Sequence, residues 1–280
     1  MQLIKSPERL ARAISSLKRR EKQIGFVPTM GYLHEGHLAL VRRAKRENEV
    51  VVVSIFVNPA QFGPHEDLKQ YPRDLARDLK MLAHEKINFV FAPSVSAVYP
   101  KSFNEYLKAG PLANTLCGVL RPGHFDGVVT VVKRLFDMVM PDRAYFGQKD
   151  YQQTLIIQNM IKRLHLEVRM RICPIVREKD RLARSSRNIY LNEQERVRAR
   201  ALFASLQFSK MLIQTGIRDP RVIENKIHHL LSAYADKIDY VKVVNAASLK
   251  EIKRLRGRIL IALACFIGKT RLIDNLLIKI

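Results

Sequence analysis

Short apolar runs alternate, up to about residue 175, with segments in which apolar residues recur every three to four positions. The first pattern predicts β-strands and the second predicts α-helices. The predicted strands span residues 24–28, 50–56, 88–92, 143–146 and 167–173. The predicted helices span residues 7–20, 36–48, 72–84, 127–139 and 150–164, and Ser6 before Pro7 is a typical helix start.

One strand decides the expected architecture. The run from Val50 to Val53 contains no polar residue, which indicates a strand that is buried on both faces. A parallel sheet with helices on either side buries such strands. The sequence therefore predicts an α/β, Rossmann-like, doubly wound domain over residues 1–176.

The pattern changes at residue 177. A polar segment rich in Arg and Ser is followed by helical patterns at 192–215 and 220–235. Strand patterns then appear at 240–244 and 259–266, and a tail through Ile273 can pair with them. We expect a second, smaller α+β domain over residues 177–280, hinged on residues 176–188.

Composition adds little to this picture, since 280 residues with 47% hydrophobic content are typical of an ordinary globular protein. The three cysteines are odd in number, far apart and in apolar surroundings, so we expect reduced core thiols. Residues 1–20 lack the apolar segment of a secretory signal, and no run approaches the ~18 apolar residues of a membrane span. We therefore expect a cytoplasmic protein with no membrane partner.

The formal net charge of +23 is the unusual feature of the composition. It is consistent with a nucleic-acid partner, with an acidic surface as partner, or with a generally basic proteome. The basic residues are interleaved with apolar helix positions and do not form one compact block. We interpret them as a solvated surface and do not expect nucleic acid as a partner.

Two histidines follow the strand at 24–28 and open the next helix. His34 and His37 are three residues apart, so they share one face of the first turn, beside unpaired backbone amides at the positive end of the helix dipole. Gly31 and Gly36 allow close approach of the backbone to a nucleotide, and the turn is suited to phosphate. The pattern resembles the HIGH signature of nucleotidylyltransferases and class I aminoacyl-tRNA synthetases, and it indicates adenylyl transfer.

Three further motifs occur where ligands are expected. Asn58 and Gln61 leave the strand at 50–56 at its carboxyl end, where they can reach a small polar substrate. Lys149, after Gly147, offers a charge to phosphate oxygens, and Asp150 either caps the next helix or binds Mg²⁺. The hydroxyls and guanidinium of the segment 185–188, in a polar linker that we expect to be mobile, can close over a triphosphate.

Several motifs together resemble the pantothenate synthetase family in order and approximate spacing, nearly end to end. They are Phe26-Val27-Pro28-Thr29-Met30-Gly31, the run 58–63, Tyr71-Pro72-Arg73, Arg121-Pro122-Gly123-His124-Phe125, the run 147–153, Ser185-Ser186-Arg187-Asn188 and Thr270-Arg271-Leu272-Ile273-Asp274-Asn275. The resemblance implies a homodimer with a Rossmann-like domain for ATP and pantoate and a C-terminal lid. It also implies condensation of pantoate with β-alanine through a pantoyl adenylate, with release of pyrophosphate and AMP.

The resemblance also implies roles for individual residues. His34 and His37 would contact the ATP phosphates, with His37 as proton donor, and Lys149 would be the third catalytic residue. Asn58, Gln61 and Gln153 would form the pantoate pocket, with Gln61 also near β-alanine. Mg²⁺ would bind Asp150 and Asp78. The nucleotide site would comprise Met30, Gly31, Tyr32, Leu33, His34, Glu35, Gly36, His37, Gly147, Gln148, Lys149, Asp150, Val176, Arg184, Ser185, Ser186 and Arg187.

The chain departs from the family pattern at four positions. Gln148 replaces a frequent Glu, Arg181 a Gly, Arg184 an apolar residue and Arg77 a common acidic residue. The change at Arg77 puts a metal site built on a pair of carboxylates there in doubt. Two other functions remain as alternatives: a class I synthetase-like protein that binds tRNA, and a nucleic-acid-binding module without catalysis. The first lacks room for an anticodon-binding domain, and the second does not account for the five polar motif residues His34, His37, Gln61, Lys149 and Gln153.

Overall fold

A computed structural model describes residues 1–64 and 66–280. Its larger sheet has six parallel strands in the order β1-β4-β3-β2-β5-β6. The strands are β1 (Gln2–Ile4), β2 (Ile24–Thr29), β3 (Val50–Ile55), β4 (Phe89–Phe91), β5 (Arg143–Gly147) and β6 (Arg169–Cys173). The helices of this part are α1 (Pro7–Arg19), α2 (Glu35–Glu47), α3 (Leu75–His84), α4 (Val95–Val98), α5 (Cys117–Leu120), α6 (His124–Val139) and α7 (Tyr151–Arg163).

Helices cover both faces of this sheet, as the apolar run in β3 predicts. Val50 and Val52 belong to a core that also contains apolar side chains of α1, α6 and α7. Val51 and Val53 belong to a second core, which contains side chains of α2 and α3. Because consecutive residues of a strand point to opposite faces, the two cores lie on opposite sides of the sheet. The prediction of a doubly wound α/β fold is confirmed.

A second, antiparallel sheet follows in the order β7-β8-β9, formed by β7 (Lys237–Asn245), β8 (Arg258–Ile267) and β9 (Thr270–Lys279). Before it come α8 (Glu193–Ala199), α9 (Ala201–Gln214) and α10 (Pro220–Ser232), which pack on it through their own apolar core. The smaller α+β unit is therefore confirmed. Its boundary at residue 177 and its action as a lid stay proposals.

Several element boundaries differ from the predictions. Strand β1 was not predicted, because three residues carry too little pattern, and it pairs with β4 at the edge of the sheet. Helix α3 begins at Leu75 because the side chain of Asp74 accepts the backbone N–H of Arg77 and caps it there. The helical pattern at 192–215 forms two helices that meet at Arg200. Cys173 and Cys265 are buried thiols as expected, whereas Cys117 is half-buried.

Strand β2 has a special position in the larger sheet. Its neighbours are β3 on one side and β5 on the other, so the order of strands reverses at this point. In open α/β sheets, ligands bind outside the carboxyl ends of the strands at such a reversal. The motifs at residues 30–37, 58–61 and 147–150 all follow carboxyl ends of these three strands. None of the described helices combines the length and apolarity that crossing a membrane requires.

Candidate active site

A cavity of about 240 Å³ lies at the carboxyl ends of the central strands. It opens into a cleft of about 1400 Å³ whose walls also include residues of β7, β8 and β9. Residues shared by cavity and cleft are Arg121, His124, Lys149, Asp150, Gln153, Ser185 and Arg187. The two spaces therefore form one continuous site between the two sheets.

Most of the predicted site residues line the cavity. They are Met30, His34, Gly36, His37, Asn58, Gln61, Gly147, Lys149, Asp150, Gln153, Val176, Arg184, Ser185, Ser186 and Arg187. The remaining predicted nucleotide residues, Gly31, Tyr32, Leu33, Glu35 and Gln148, are not part of its wall. Leu33 is fully buried, so its side chain belongs to the core beneath the loop.

The loop after β2 depends on one buried carboxylate. Asp78, on α3, accepts the backbone N–H groups of Tyr32 at 2.8 Å and of Leu33 at 2.7 Å. Gly31 has a φ of 81°, and a Cβ there would lie 2.9 Å from Cγ2 of Ile55. Burial raises the pKa of the Asp78 carboxyl, while its bonds to the two amides oppose that shift. The side chain of Asp78 is thus already engaged by the loop.

The two histidines form a compact pair at the start of α2. Nδ1 of His34 accepts the backbone N–H of Gly36 at 3.1 Å, and Nδ1 of His37 accepts the backbone N–H of His34 at 3.3 Å. Their rings stack with centroids 4.0 Å apart. A Cβ on Gly36 would lie 2.9 Å from the His34 ring, so this packing requires glycine. Since each Nδ1 is an acceptor, the proton of each neutral ring is on Nε2.

Both rings are neutral at physiological pH. Burial, and then the charges of His37, Lys149 and Arg184, lower the pKa of His34 to about 2. Burial also lowers the pKa of His37 to about 4, although Asp150 opposes the shift. Each ring therefore offers a neutral Nε2–H as hydrogen-bond donor. The proton-donor role of His37 that the family resemblance implies stays a prediction, and the lowered pKa of the ring limits it to donation from a neutral Nε2–H at neutral pH.

These neutral histidines predict an acid-sensitive fold. The pKa of His124 is also lowered to about 4, chiefly by burial, so the folded chain takes up these protons at lower pH than the unfolded chain, whose histidines titrate near 6.5. The unfolded state binds more protons in this window, and the free energy of unfolding decreases as pH falls from about 6.5 to 4. Melting temperatures across that range measure the effect.

A variant isolates the contribution of one ring. His37→Gln should weaken the pH dependence of melting between pH 6.5 and 4, because one titrating group is removed. His228→Gln, on the exposed face of α10, is the matched control and should leave the dependence near that of the parent. Equal slopes in the parent and His37→Gln would contradict the assignment of His37 as a neutral buried ring.

The turn after β5 presents Lys149 to the same cavity. The turn, Gln148–Asp150, connects β5 to α7, and the Lys149 side chain is about one-fifth exposed. Nζ lies 4.0 Å from the Asp150 carboxylate, so the ammonium is only loosely paired. The charge of Lys149 lowers the pKa of both His34 and His37, which places it within electrostatic reach of the phosphate-binding turn. An anion between these groups would meet donors from two sides.

The residues predicted to bind pantoate differ in how many of their hydrogen-bonding groups are free to bind a substrate. Asn58 is buried, and its amide donates to Gln61 Oε1 at 3.2 Å and to the carbonyl of Gly127 at 3.1 Å. Its own oxygen accepts the hydroxyl of Tyr99 at 2.9 Å. Gln61 donates to Sδ of Met30 at 3.1 Å, so its amide is oriented toward the loop after β2. All three residues line the cavity, but the amide groups of Asn58 are already bonded within the protein, so Asn58 is placed to orient Gln61.

Sequence reasoning did not single out the network behind Gln61. His124 Nδ1 donates to the carbonyl of Gln61 at 2.7 Å, and its Nε2 accepts from Arg121 at 3.1 Å. Arg121 also donates to both oxygens of Glu66 at 2.6 Å. Arg121 and His124 appeared only in a motif that carried the family resemblance. Arg121 and His124 are three residues apart at the turn that begins α6. This spacing was the sequence signal from which their contact could have been predicted.

Residues Ser186–Tyr190 form a 3-10 turn in the structure, and the mobility of this linker stays a prediction. Ser185 caps a 3-10 turn by accepting the backbone N–H of Arg187, and the buried Ser186 donates to the carbonyl of Tyr32 at 3.2 Å. Arg187 donates to both oxygens of Asp67 at 2.8 Å. A triphosphate would therefore compete with Asp67 for this guanidinium.

The structure shows contacts or backbone conformations for the three arginines at which the chain departs from the family pattern. Arg77 lies over the Tyr32 ring, 4.8 Å from its centroid, and 3.7 Å from the Asp78 carboxylate. Arg181 has a φ of 75° in the turn between Arg177 and Ala183, a conformation in which glycine would be unstrained. Arg184 lies 3.7 Å from the Glu178 carboxylate and contributes a positive charge beside His34.

Comparison of the sequence with protein-family models gives a match over residues 2–277 to the family described as pantoate-beta-alanine ligase. Among curated proteins, the pantothenate synthetase of Fervidobacterium nodosum is 52% identical over 278 residues, covering 97% of this chain and 99% of that protein. The pantothenate synthetase of Thermotoga neapolitana is 50% identical over 276 residues, covering 98% and 99%.

The solved structures that resemble this chain include members of the same family as these relatives. The pantothenate synthetase of Thermus thermophilus superposes with a TM-score of 0.93 at 42% identity, covering 99% of both chains. The pantoate-beta-alanine ligase of Francisella tularensis superposes with a TM-score of 0.81 at 35% identity, covering 99% of this chain and 97% of that one. The Francisella protein was solved in complex with beta-gamma ATP and β-alanine.

Proposed function

Because the chain belongs to the pantoate–β-alanine ligase family, we propose that it joins pantoate to β-alanine with ATP as co-substrate, through a pantoyl adenylate at the carboxyl ends of β2 and β5. One observation carries the proposal for the site. The neutral histidine pair after β2 and Lys149 after β5 contribute to the same cavity at the point where the strand order reverses. This arrangement supports adenylyl transfer, because it places hydrogen-bond donors and a positive charge where phosphate oxygens would bind.

The first step is nucleophilic attack at phosphorus. The carboxylate of pantoate attacks the α-phosphorus of ATP, a P–O bond forms, and the bond to the bridging oxygen breaks as pyrophosphate leaves. Nε2–H of His34 and His37 donates to phosphate oxygens, and the ammonium of Lys149 stabilises charge that develops on the leaving group. The two histidine rings are fixed before reaction by the bonds of their Nδ1 atoms to backbone amides.

The second step uses the adenylate inside the same cavity. The neutral amine of β-alanine attacks the acyl carbon of the mixed anhydride, the C–N bond forms, the C–O bond to the phosphate of AMP breaks, and the amine nitrogen releases a proton as AMP leaves. Gln61 and Gln153 bind the pantoyl group, and Asn58, Arg121 and His124 hold Gln61 in place.

A magnesium ion fits this site only when ATP supplies most of its ligands. Among the residues that the structure describes, no three His, Cys, Asp or Glu side chains are arranged to bind a metal ion. Asp150 is half-exposed at the cavity wall and is the residue that would contact Mg²⁺ together with phosphate oxygens and water. The ion would neutralise phosphate charge. We assign Asp78 to the loop after β2, since its oxygens accept two backbone amides.

Three further features are proposals of the same kind. The family resemblance supports a homodimer, and we propose that the enzyme works in the cytoplasm. Both can be checked by sedimentation of the purified protein and by cell fractionation. The expectation that nucleic acid is not a partner stays a prediction. To test it, RNA binding is measured at increasing salt, and we expect weak binding whose affinity declines steeply as salt rises.

Product analysis tests the proposed function. With ATP, pantoate and β-alanine, the purified protein should release AMP and pyrophosphate in amounts equal to the pantothenate formed. Omission of any one substrate should abolish amide formation. Release of ADP and phosphate in place of AMP would mean that the γ-phosphorus is attacked, and the proposed chemistry would then be wrong.

A further inference from the structure

A side chain of the smaller sheet contacts the backbone carbonyls on both sides of Lys149. Asn275, on β9, is 4% exposed. Its amide nitrogen donates to the carbonyl of Gln148 at 3.1 Å and to the carbonyl of Lys149 at 2.9 Å. Both amide hydrogens are therefore used by the turn that carries the catalytic lysine.

The orientation of this amide is also fixed. Gln148 Nε2 donates to Oδ1 of Asn275 at 3.3 Å, which leaves the nitrogen of Asn275 facing the two carbonyls. The backbone N–H of Asn275 donates to Asp274 Oδ1 at 2.8 Å, and Asp274 accepts two bonds from Arg177 at 2.6 and 2.9 Å. Residue 148, where the family frequently has Glu, thus contributes a donor that selects one orientation of Asn275.

The turn has little local support of its own. No side-chain hydrogen bond caps the turn Gln148–Asp150 or the start of α7. Gly147, before the turn, is the last residue of β5 and pairs with Cys173 of β6, and α7 follows the turn directly. Between these two ends, the two bonds from Asn275 are the side-chain restraint on the backbone of Lys149. A long, flexible side chain is aimed well only if its backbone is fixed.

We propose that Asn275 is a positioning residue for adenylation, which holds the backbone of Lys149 so that its ammonium meets the phosphates of ATP. The inference rests on the proposed function, because it assumes that Lys149 acts in the first half-reaction. It makes the smaller sheet part of the catalytic machinery. It also predicts that Asn275 acts only through Lys149, so that the effects of the two residues are not independent.

The test uses the full-length protein with Asn275→Ala and Asn275→Asp. Both changes remove the two donors, and Asn275→Asp nearly preserves the shape of the side chain. Single-turnover adenylation of pantoate should slow by about tenfold or more, since small displacements of a catalytic group are costly. ATP affinity should change much less, and amide formation from supplied pantoyl adenylate and β-alanine should stay near that of the parent. Ser209→Ala, at a buried hydroxyl of α9, controls for a general loss of stability.

A double variant distinguishes positioning from a structural role. In the Lys149→Ala background, Asn275→Ala should produce no further loss of adenylation, because its target is already absent. A second, equal loss in that background would overturn the proposal, as would equal slowing of both half-reactions in Asn275→Asp. If Asn275→Ala does not fold, Gln148→Ala gives the same test, with a smaller loss expected in adenylation alone. A parent protein without pantoate-dependent adenylation would instead refute the proposed function.

Discussion

Lys149→Ala should slow pantoate-dependent adenylation by about 100-fold or more, the scale of losing one preorganised electrostatic contact to a developing charge. The ammonium lies at the end of β5, within electrostatic reach of the neutral His34 and His37 after β2. Its interaction strengthens as charge accumulates on the departing pyrophosphate. ATP affinity should therefore fall much less than the rate.

Separate half-reactions make this prediction specific. Amide formation from supplied pantoyl adenylate and β-alanine should be nearly unchanged in Lys149→Ala, because the β- and γ-phosphates are absent from that step. Lys162→Ala, on the exposed end of α7, is the matched control. If Lys149→Ala slows both half-reactions equally, Lys149 supports the whole cavity, and if it slows neither, the phosphates lie elsewhere.

Asp78→Ala should reduce the free energy of unfolding by about 2–5 kcal/mol, since it leaves one buried and one partly buried backbone amide without an acceptor. Those amides belong to Tyr32 and Leu33, which directly precede the histidine pair. Adenylation and ATP affinity should fall together, because the phosphate-binding turn loses its support. Denaturant unfolding and ATP titration measure the two effects.

A neighbouring carboxylate provides the control for Asp78. Asp74→Ala removes the cap of the same helix and should cost about 0.5–2 kcal/mol, with ATP affinity unchanged. Retention of both stability and ATP affinity in Asp78→Ala would contradict the role of Asp78 as support of the loop. Retained stability with lost Mg²⁺-dependent activity would restore its predicted role as a metal ligand.

The sequence was sufficient for most of the larger sheet and for the expectation that the candidate site motifs lie at one edge of it. Continuous apolar runs such as Val50 to Val53 identify strands that are covered on both faces, and such strands imply a parallel sheet. Parallel strands bring their carboxyl ends to one edge, so the motifs around His37, Asn58 and Lys149 could be placed together from the residue pattern alone. Short elements such as β1 could not, since their pattern covers only three residues.

The partners of the site residues could not be predicted in the same way. Asp78 is 45 residues from Leu33 along the chain, and Asn275 is 126 residues from Lys149. A carboxylate that accepts backbone amides and an amide that donates to carbonyls leave no periodic signal, because the contacts depend on how separate elements pack. Likewise, no pattern in the sequence indicated that Asp67 would pair with Arg187.

Exchange of labelled pyrophosphate into ATP, without β-alanine, tests most directly whether this site forms an acyl adenylate. With pantoate, the parent protein should incorporate label into ATP, and without pantoate it should not, because only the reversible first half-reaction returns pyrophosphate to ATP. Lys149→Ala should reduce this exchange by about 100-fold or more. Exchange that depends on an amino acid in place of pantoate, or that needs neither, would contradict the account.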